Sequence, residues 1–270
     1  MDDLEPIAPD EALALYINHR QREVAQSTLR SHKSRLGHFI RWCEQEKQLT
    51  NLNELTGRLL HEFRLWRRNE NGEIKPVTEK TQMDTLRVFI RFLETVDAVK
   101  PELSEKVLSP DLDENENVRD DRLTPEQAEA ILTHLGRYKY ASRAHIVLTL
   151  QWHTMLRRGA VRTLDLADYH SEEQSLEIRH RPETDTPIKN KMKGERFVAL
   201  SSEICTLLDD WIDNQRPDVV DEYGREPLIA TPNGRMHATT PTTIVYNWSR
   251  PCRIGLSCPL NRDPDDCEAA

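Results

Sequence analysis

An acidic segment with two prolines divides this 270-residue sequence into two blocks of different hydrophobic pattern. It spans residues 101–121 and reads PELSEKVLSPDLDENENVRDD. Such a polar stretch is typical of a linker, and a chain of this length is long enough for two ordinary domains. We therefore predict a first domain over 8–100, a linker over 101–121, a second domain over 122–250 and a cysteine-containing tail over 251–270.

The first block has the apolar spacing of α-helices throughout. The predicted helices cover residues 10–22, 27–46, 53–66 and 78–96. Ser27 is the predicted N-cap of the second helix, because its hydroxyl can accept from the free N–H groups of the first turn. The last helix carries a broad apolar stripe that would face a core. These patterns predict a small, all-helical first domain.

The second block mixes helices with short strands. Thr124, Pro125 and Gln127 form a capping-box sequence that predicts the start of a helix. Helical patterning continues through 141–155 and returns at 202–213 and 240–248. Residues 175–179 and 196–200 alternate as strands on either side of a lysine-rich turn. The whole chain is thus predicted to be mainly α, with an α+β second domain that holds a small antiparallel sheet.

The charge of the sequence is unevenly distributed. A net charge of −9 taken alone argues against DNA binding, because phosphate contacts need Lys and Arg. Acidic residues are concentrated in the N-terminal tip, in 111–121 and in 263–268, which leaves basic residues free to form local patches. No apolar run approaches the length of a membrane span, and residues 1–10 lack the pattern of a secretory signal. We therefore expect a cytoplasmic protein without membrane contact.

The sequence Thr154-Met155-Leu156-Arg157, within residues 148–169, resembles the first catalytic box of the tyrosine recombinase (phage integrase) family. That box is usually T-G-L-R, and the resemblance implies that Arg157 grips the scissile phosphate. A guanidinium suits this role because it is always charged and offers a planar fork of donors. Outside such a pattern, an arginine more often faces solvent or forms a salt bridge. Met155 replaces the favoured glycine, and Ala160 replaces a glutamate found in many members.

Residues 187–201, PIKNKMKGERFVALS, are similar to the family's β-hairpin, in which a lysine on the turn acts as general acid toward the leaving 5′-oxygen. Aligning the strand from Arg196 to Leu200 places that role on Lys189 or Lys191, and the sequence does not choose between them. A cationic amine close to DNA can hold and donate this proton. The alternative is that the lysines only form a soluble turn or a nonspecific phosphate patch.

The second and fourth predicted helices resemble the helical, SAM-like core-binding domain that precedes the catalytic domain in this family. Both carry basic and hydroxyl residues opposite their apolar stripe, as helices that grip a DNA backbone do. The resemblance implies duplex DNA as partner, a homo-oligomer on DNA that is a tetramer in the family, and an integrase catalytic domain over the second block. The predicted DNA-binding residues are Thr28, Arg30, Lys33, Lys80, Thr81 and Arg87.

After the hairpin the family continues with His-x-x-Arg, then His or Trp, then the nucleophilic tyrosine. No His-x-x-Arg follows residue 200 here, and we interpret Tyr246 as a core or helix-packing aromatic rather than a nucleophile. The sequence thus resembles a recombinase truncated before these residues. We expect DNA binding without turnover, unless the nucleophile comes from another protomer or a longer gene product. Two alternatives are a non-catalytic DNA-binding relic or regulator and an α+β adaptor with no DNA role.

Cysteines cluster in the tail, at Cys252, Cys258 and Cys267. Thiolates are good tetrahedral zinc ligands, and a loop without a core can be ordered by a metal. A fourth ligand would have to come from His237 or from beyond Ala270. The alternative is a set of unpaired thiols in a disordered end. We therefore expect a structural zinc as one possibility, and no cofactor for the chemistry that the family performs.

Overall fold

The computed structural model describes residues 4–70, 72, 74–113, 122–258 and 261–262. The chain divides into two compact units, Met1–Asp120 and Asp121–Ala270. We refer to them as unit 1 and unit 2. Among the described residues, no helix is both long enough and apolar enough to cross a membrane.

Unit 1 is helical, as predicted from its apolar spacing. Its α-helices are α1 (Pro9–Arg20), α2 (Gln26–Arg41), α3 (Gly57–Asn69) and α4 (Pro76–Thr95). A π-helical turn over Trp42–Glu46 continues α2, so the long second helix of the prediction is present. The core between these helices is aromatic, with the Phe39 and Phe63 rings 5.1 Å apart in an edge-to-face arrangement that suits their quadrupoles.

All four helix starts of unit 1 differ from the prediction, and the structure gives the reason for α2 and α3. Helix α2 begins at Gln26 with Ala25 as its N-cap, so the prediction that Ser27 caps it was wrong. The backbone of Ala25 already accepts from Thr28 and Leu29, which draws Ser27 into the first turn. Helix α3 begins at Gly57 because the Thr56 hydroxyl accepts from the Leu59 N–H at 3.3 Å.

The segment predicted as a linker starts later than residue 101. Leu103 and Val107 are buried in the core of unit 1. The Glu94 carboxylate accepts from the Ser104 N–H at 2.6 Å, and the Arg87 guanidinium donates to the Val107 carbonyl at 2.7 Å. Two apolar side chains are enough to fix this polar stretch, and the acidic residues 114–121 lie outside the described part of the chain.

Unit 2 contains the helices α5 (Pro125–Tyr138), α6 (Arg143–Thr154), α7 (Arg158–Thr163), α8 (Ser202–Asn214) and α9 (Thr240–Trp248). The predicted capping box at the start of α5 is confirmed. The Gln127 N–H donates to the Thr124 hydroxyl at 3.2 Å, and the Gln127 side chain accepts from the Thr124 N–H at 2.9 Å. Both contacts satisfy donors that the helix leaves free.

The sheet of unit 2 is antiparallel, as predicted, and consists of β1 (Tyr169–His170), β2 (Ser175–Ile178) and β3 (Arg196–Ala199) in that order. Leu176 and Ile178 are fully buried and pack on the α7 and α8 side, while Ser175 and Glu177, which alternate with them, are half-buried on the other face. A smaller ribbon pairs β4 (Ala230–Thr231) with β5 (Gly234–Arg235). The connection from β2 to β3 covers residues 179–195, and this long loop carries the lysines.

Candidate active site and nucleic-acid interface

The arginine box forms a sharp turn between α6 and α7. Helix α6 ends at Thr154, Met155 adopts a left-handed conformation with φ of 53°, and Leu156 is buried. Arg157 then takes the N-cap position of α7 with its side chain exposed. Its guanidinium makes no hydrogen bond or ion pair within the part of the chain that the structure describes. The turn thus presents a charged fork whose donors are all available.

The lysine loop has a fixed backbone and free side chains. Ile188 is buried and anchors the loop, and Asn190 and Lys191 both have left-handed backbones before a 3₁₀ turn over Lys191–Gly194. Gly194 is required here, because a Cβ at this position would lie 2.6 Å from the Lys189 carbonyl oxygen. Lys189, Lys191 and Lys193 are exposed and unpaired among the described residues. The structure leaves the choice between Lys189 and Lys191 open.

Helix α7 and the lysine loop lie side by side. The Thr163 hydroxyl donates to the Thr186 carbonyl at 3.2 Å, and a Cβ added to Gly159 would lie 3.9 Å from the Pro187 oxygen. Toward the N-terminal end of α7, the contact in the loop moves from Thr186 to Pro187, which is one residue closer to Lys189. Arg157 stands at the N-terminal end of α7, two residues before Gly159, the helix residue that approaches Pro187.

The buried position of Ala160 is consistent with the absence of the family's glutamate at this place in the sequence. Its side chain is buried against the apolar core of unit 2 rather than turned to the surface. A glutamate at this position would bury a carboxylate, which is costly without a paired cation.

An ion-pair cluster that we did not predict from the sequence surrounds the C-terminal end of α7. The Asp165 carboxylate accepts from Arg225 Nε at 2.8 Å and from Arg235 Nη2. Arg181 donates to both carboxylate oxygens of Asp168, at 2.9 and 2.6 Å. Asp and Arg are usually exposed, so their positions in the sequence carry no sign of this burial. We call Asp165, Asp168, Asp221, Arg181, Arg225 and Arg235 the arginine-aspartate cluster.

The pKa shifts of Asp221 and Arg181 favour the charged forms of these two groups. Burial alone would raise the pKa of Asp221, but hydrogen bonds from the backbone N–H groups of Arg225 and Tyr223 and from the Arg235 guanidinium bring it below its ordinary value. Hydrogen bonding to Asp168 raises the pKa of Arg181 above its usual range. Both directions favour the ion pairs that Asp221 forms with Arg235 and that Arg181 forms with Asp168.

The predicted DNA-binding residues of unit 1 fall into two groups. Arg30 and Lys33 are exposed on α2 and have no partner among the described residues, and Thr28 is half-buried beside them. On α4, Lys80 lies 3.9 Å from Asp84, and the Thr81 hydroxyl donates to a carbonyl of its own helix. Arg87 binds Asp84 at 2.9 Å as well as Val107, so its guanidinium is held within unit 1.

A groove of about 410 Å³ lies between α2 and α4. Its lining includes Lys80 and Thr81 from the prediction, and also His32 and Arg35, which the sequence did not single out. The Arg35 guanidinium donates to the Thr85 hydroxyl at 3.2 Å. Burial lowers the pKa of His32, and the charges of the nearby Arg20 and Arg35 lower it further, so its ring is neutral near pH 7. The groove thus brings the basic and hydroxyl side chains of α2 and α4 together with Asp84 and with the apolar Val77, Val88 and Leu112.

Tyr246 is not a core residue, so the prediction that it packs in a core was wrong. Its side chain is 69% exposed on α9, because Ile244, Val245 and Trp248 form the packed side of that helix. Thr242, one turn earlier on the same face, accepts from Arg158 Nη1 at 3.1 Å. The contact links this exposed face to the helix that begins beside Arg157.

The zinc site in the cysteine tail stays a prediction. Cys252 and Cys258 are half-buried, and Cys267 lies outside the described residues. His237 is exposed and its Nδ1 lies 2.9 Å from the Thr239 hydroxyl. No group of three or more metal-ligating side chains occurs among the described residues.

Comparison with known proteins identifies the family. The Phage integrase family model matches residues 121–251, and the model of the phage integrase N-terminal SAM-like domain matches residues 14–95. The chain therefore belongs to the phage integrase, or tyrosine recombinase, family. No curated protein matches the sequence.

Solved structures agree with this assignment. A lambda integrase dimer bound to a COC′ core site has a TM-score of 0.67 at 15% identity, over 94% of this chain and 65% of that chain. The Tn1549 transposon integrase in complex with a circular intermediate DNA has a TM-score of 0.62 at 18% identity, over 90% and 79%. A lambda integrase tetramer on a Holliday junction gives 0.66 at 15%, over 93% and 67%.

A further match covers the first unit. The N-terminal domain of a phage integrase/site-specific recombinase from Haloarcula marismortui is 36% identical, over 39% of this chain and 99% of that chain, with a TM-score of 0.37. The DNA-bound structures above share the mainly helical, α+β architecture predicted from the sequence, which is confirmed.

The left-handed Met155 leads to a stability prediction. A non-glycine residue in this conformation costs about 1 kcal/mol, and the greater freedom of glycine in the unfolded chain offsets part of the gain from removing it. Met155→Gly should therefore raise the unfolding temperature of unit 2 slightly, by roughly 2 °C. Met155→Val, which is branched at Cβ, should lower it. The measurement is thermal unfolding of the three proteins, and a clear loss of stability in Met155→Gly would contradict it.

Proposed function

We propose that this protein binds duplex DNA and acts in site-specific recombination by strand cleavage and rejoining through a 3′-phosphotyrosine. One observation carries the proposal: Arg157 is exposed and unpaired on a short helix that lies against the lysine loop. A guanidinium next to an exposed lysine segment is suited to grip a phosphodiester.

The reaction assigns one role to each cation. A tyrosine oxygen attacks the phosphorus, the new P–O bond forms, and the bond to the 5′-oxygen breaks. Arg157 holds the non-bridging oxygens as negative charge builds on them. Lys189 or Lys191 gives its proton to the leaving 5′-oxygen. The phosphotyrosine conserves the bond energy for rejoining, and no metal or nucleotide takes part.

These residues supply the phosphate-binding and leaving-group half of the reaction. We assign no nucleophile, because no His-x-x-Arg follows residue 200 to mark the second half of the site. The reaction would then need a tyrosine in addition to the residues assigned here, and we expect these residues by themselves to bind DNA without turnover. The same observation favours a second candidate function, a non-catalytic DNA-binding protein that occupies recombination sites.

Unit 1 would add contacts to the DNA backbone through the exposed side of α2 and the groove between α2 and α4. Local basic residues matter more than the net charge of −9, because phosphate contacts act over short distances in salt. The lambda integrase structures include a tetramer on a Holliday junction. We extend that assembly to this chain and propose several copies on each recombination site.

The DNA-binding part is tested by the salt dependence of duplex affinity. Arg30→Ala and Lys33→Ala should each weaken binding to all sequences alike and reduce the slope of log affinity against log salt by about 0.9. Fluorescence anisotropy with a labelled duplex over a salt series measures both quantities. Arg58→Ala, which removes an exposed charge from α3, is the matched control and should leave the slope nearly unchanged. Absence of binding at every salt concentration would favour an adaptor with no DNA role.

The two candidate functions are separated by a nicked suicide duplex, which traps a covalent protein–DNA adduct. The 270-residue chain alone should form no adduct. A chain that carries the family's downstream residues should form one if this protein is a recombinase. An adduct with the 270-residue chain would refute our account of the nucleophile.

A further inference from the structure

We infer that Arg225 is a positioning residue that holds Arg157 and the lysine loop in one geometry. The inference rests on the proposed function, because it concerns how the phosphate-binding arginine is aimed. Arg225 lies far from the box in sequence and was not marked by any motif. Its side chain is 14% exposed, which is low for an arginine.

Helix α7 depends on groups outside itself. It has only 6 residues, too few for a helix to be stable alone, and its last carbonyls have no partner within the helix. Guanidinium groups supply these partners. Arg235 Nη1 donates to the carbonyls of Arg162 and Leu164, at 2.8 and 3.2 Å. Arg225 Nη2 donates to the Thr163 carbonyl at 3.1 Å. The C-terminal end of α7 is therefore fixed by charge-assisted hydrogen bonds.

Arg225 also reaches the lysine loop. Its Nη1 donates to the hydroxyls of Thr184 and Thr186, at 2.5 and 2.8 Å. Its Nε donates to Asp165, two residues after the end of α7. One planar group thus ties together the end of α7, the turn after it and the segment that precedes Lys189. A lysine could not replace it, because one ammonium cannot reach acceptors in these three directions at once.

The hydrogen bonds of Arg225 affect the position of Arg157 through the length of α7. Arg157 stands at the other end of α7, about 9 Å from Thr163 at the usual helical rise, and its own side chain has no restraint among the described residues. A small tilt at the fixed end would shift the guanidinium relative to the lysines. Misplacement by about 1 Å can cost much of the activity of a catalytic group. Arg225 is thus placed to set the separation of the two cationic groups.

Chemical modification of Arg157 tests this inference in the 270-residue chain. Arg157 is exposed and unpaired, so p-hydroxyphenylglyoxal should modify it readily, and mass spectrometry can follow its rate beside that of Arg30. The rates are measured with and without a saturating concentration of duplex. In the unaltered protein, the duplex should slow modification of both arginines several-fold. In Arg225→Gln, protection of Arg157 should be lost while protection of Arg30 remains, and Arg225→Lys should not restore it.

Two further variants keep the test decisive. Thr186→Val keeps the shape of the side chain and removes one acceptor of Arg225, so it gives a partial loss of protection at Arg157 even if Arg225→Gln does not fold. Arg143→Gln removes a half-buried arginine of unit 2 that donates to the Ala230 carbonyl and touches neither α7 nor the lysine loop. This control should keep full protection.

Each outcome has one meaning. No protection of Arg157 in the unaltered protein would overturn the proposed function itself, because the guanidinium would then not meet DNA. Protection in the unaltered protein that persists in folded Arg225→Gln, or in Thr186→Val where Arg225→Gln does not fold, would overturn only the positioning role. Loss of protection in Arg143→Gln as well would overturn it too, since it would mean a general loosening of unit 2.

Discussion

Arg157→Ala should lower the rate of covalent capture of a nicked suicide duplex by about 100-fold or more, in a chain that carries the family's nucleophilic tyrosine. Removing one preordered donor to a developing charge typically costs this much. The affinity for duplex DNA should change little, because the other phosphate contacts remain. Single-turnover capture gives the rate, and anisotropy gives the affinity.

The matched control for Arg157→Ala is Arg158→Ala. Arg158 is the next residue, is equally exposed, and donates to Thr242 on α9. Its loss should reduce capture much less.

A duplex with sulfur in place of the bridging 5′-oxygen adds a second control, because a thiolate leaves without a proton. It should restore capture in whichever of Lys189→Ala and Lys191→Ala removes the general acid, and not in Arg157→Ala. Equal effects of Arg157→Ala and Arg158→Ala would contradict the assignment.

Asp165→Ala should destabilise unit 2 by about 3 kcal/mol or more. Asp165 is the carboxylate shared by Arg225 and Arg235, and Arg235 is only 5% exposed. Without Asp165, Arg225 loses its carboxylate partner and Arg235 keeps only Asp221. Such burial of an uncompensated charge is the costly case. Urea unfolding followed by tryptophan fluorescence measures the loss, with Trp211 reporting on unit 2 and Trp42 on unit 1.

Asp213→Ala is the control for Asp165→Ala. Asp213 is an exposed carboxylate on α8 of the same unit, and its removal should change stability by no more than about 0.5 kcal/mol. The transition of unit 1 should be the same in all three proteins. If Asp165→Ala unfolded at the same urea concentration as Asp213→Ala, the arginine-aspartate cluster would not support α7 as we describe.

Local patterns predicted the elements of this protein well. Apolar residues at helical spacing located the helices of unit 1, and the strands β2 and β3 followed from alternation. The capping box at Thr124 was confirmed because it depends only on residues three positions apart. The boundary of the linker was less predictable. Leu103 and Val107 look isolated in a polar segment, and only the core of unit 1 shows that both are buried.

The sequence alone determined the family, the α+β class and the identity of the candidate phosphate-binding arginine, because these depend on residues close together in the chain. The tertiary structure decided what supports that arginine. Asp165, Arg225 and Arg235 meet across 60 to 70 positions of sequence, and no local rule brings them together. The tertiary structure also decided that Tyr246 faces outward, because the apolar surfaces of α5 and α6 determine which side of α9 is packed. Contacts between distant residues are set by the packing of whole elements, which no short motif records.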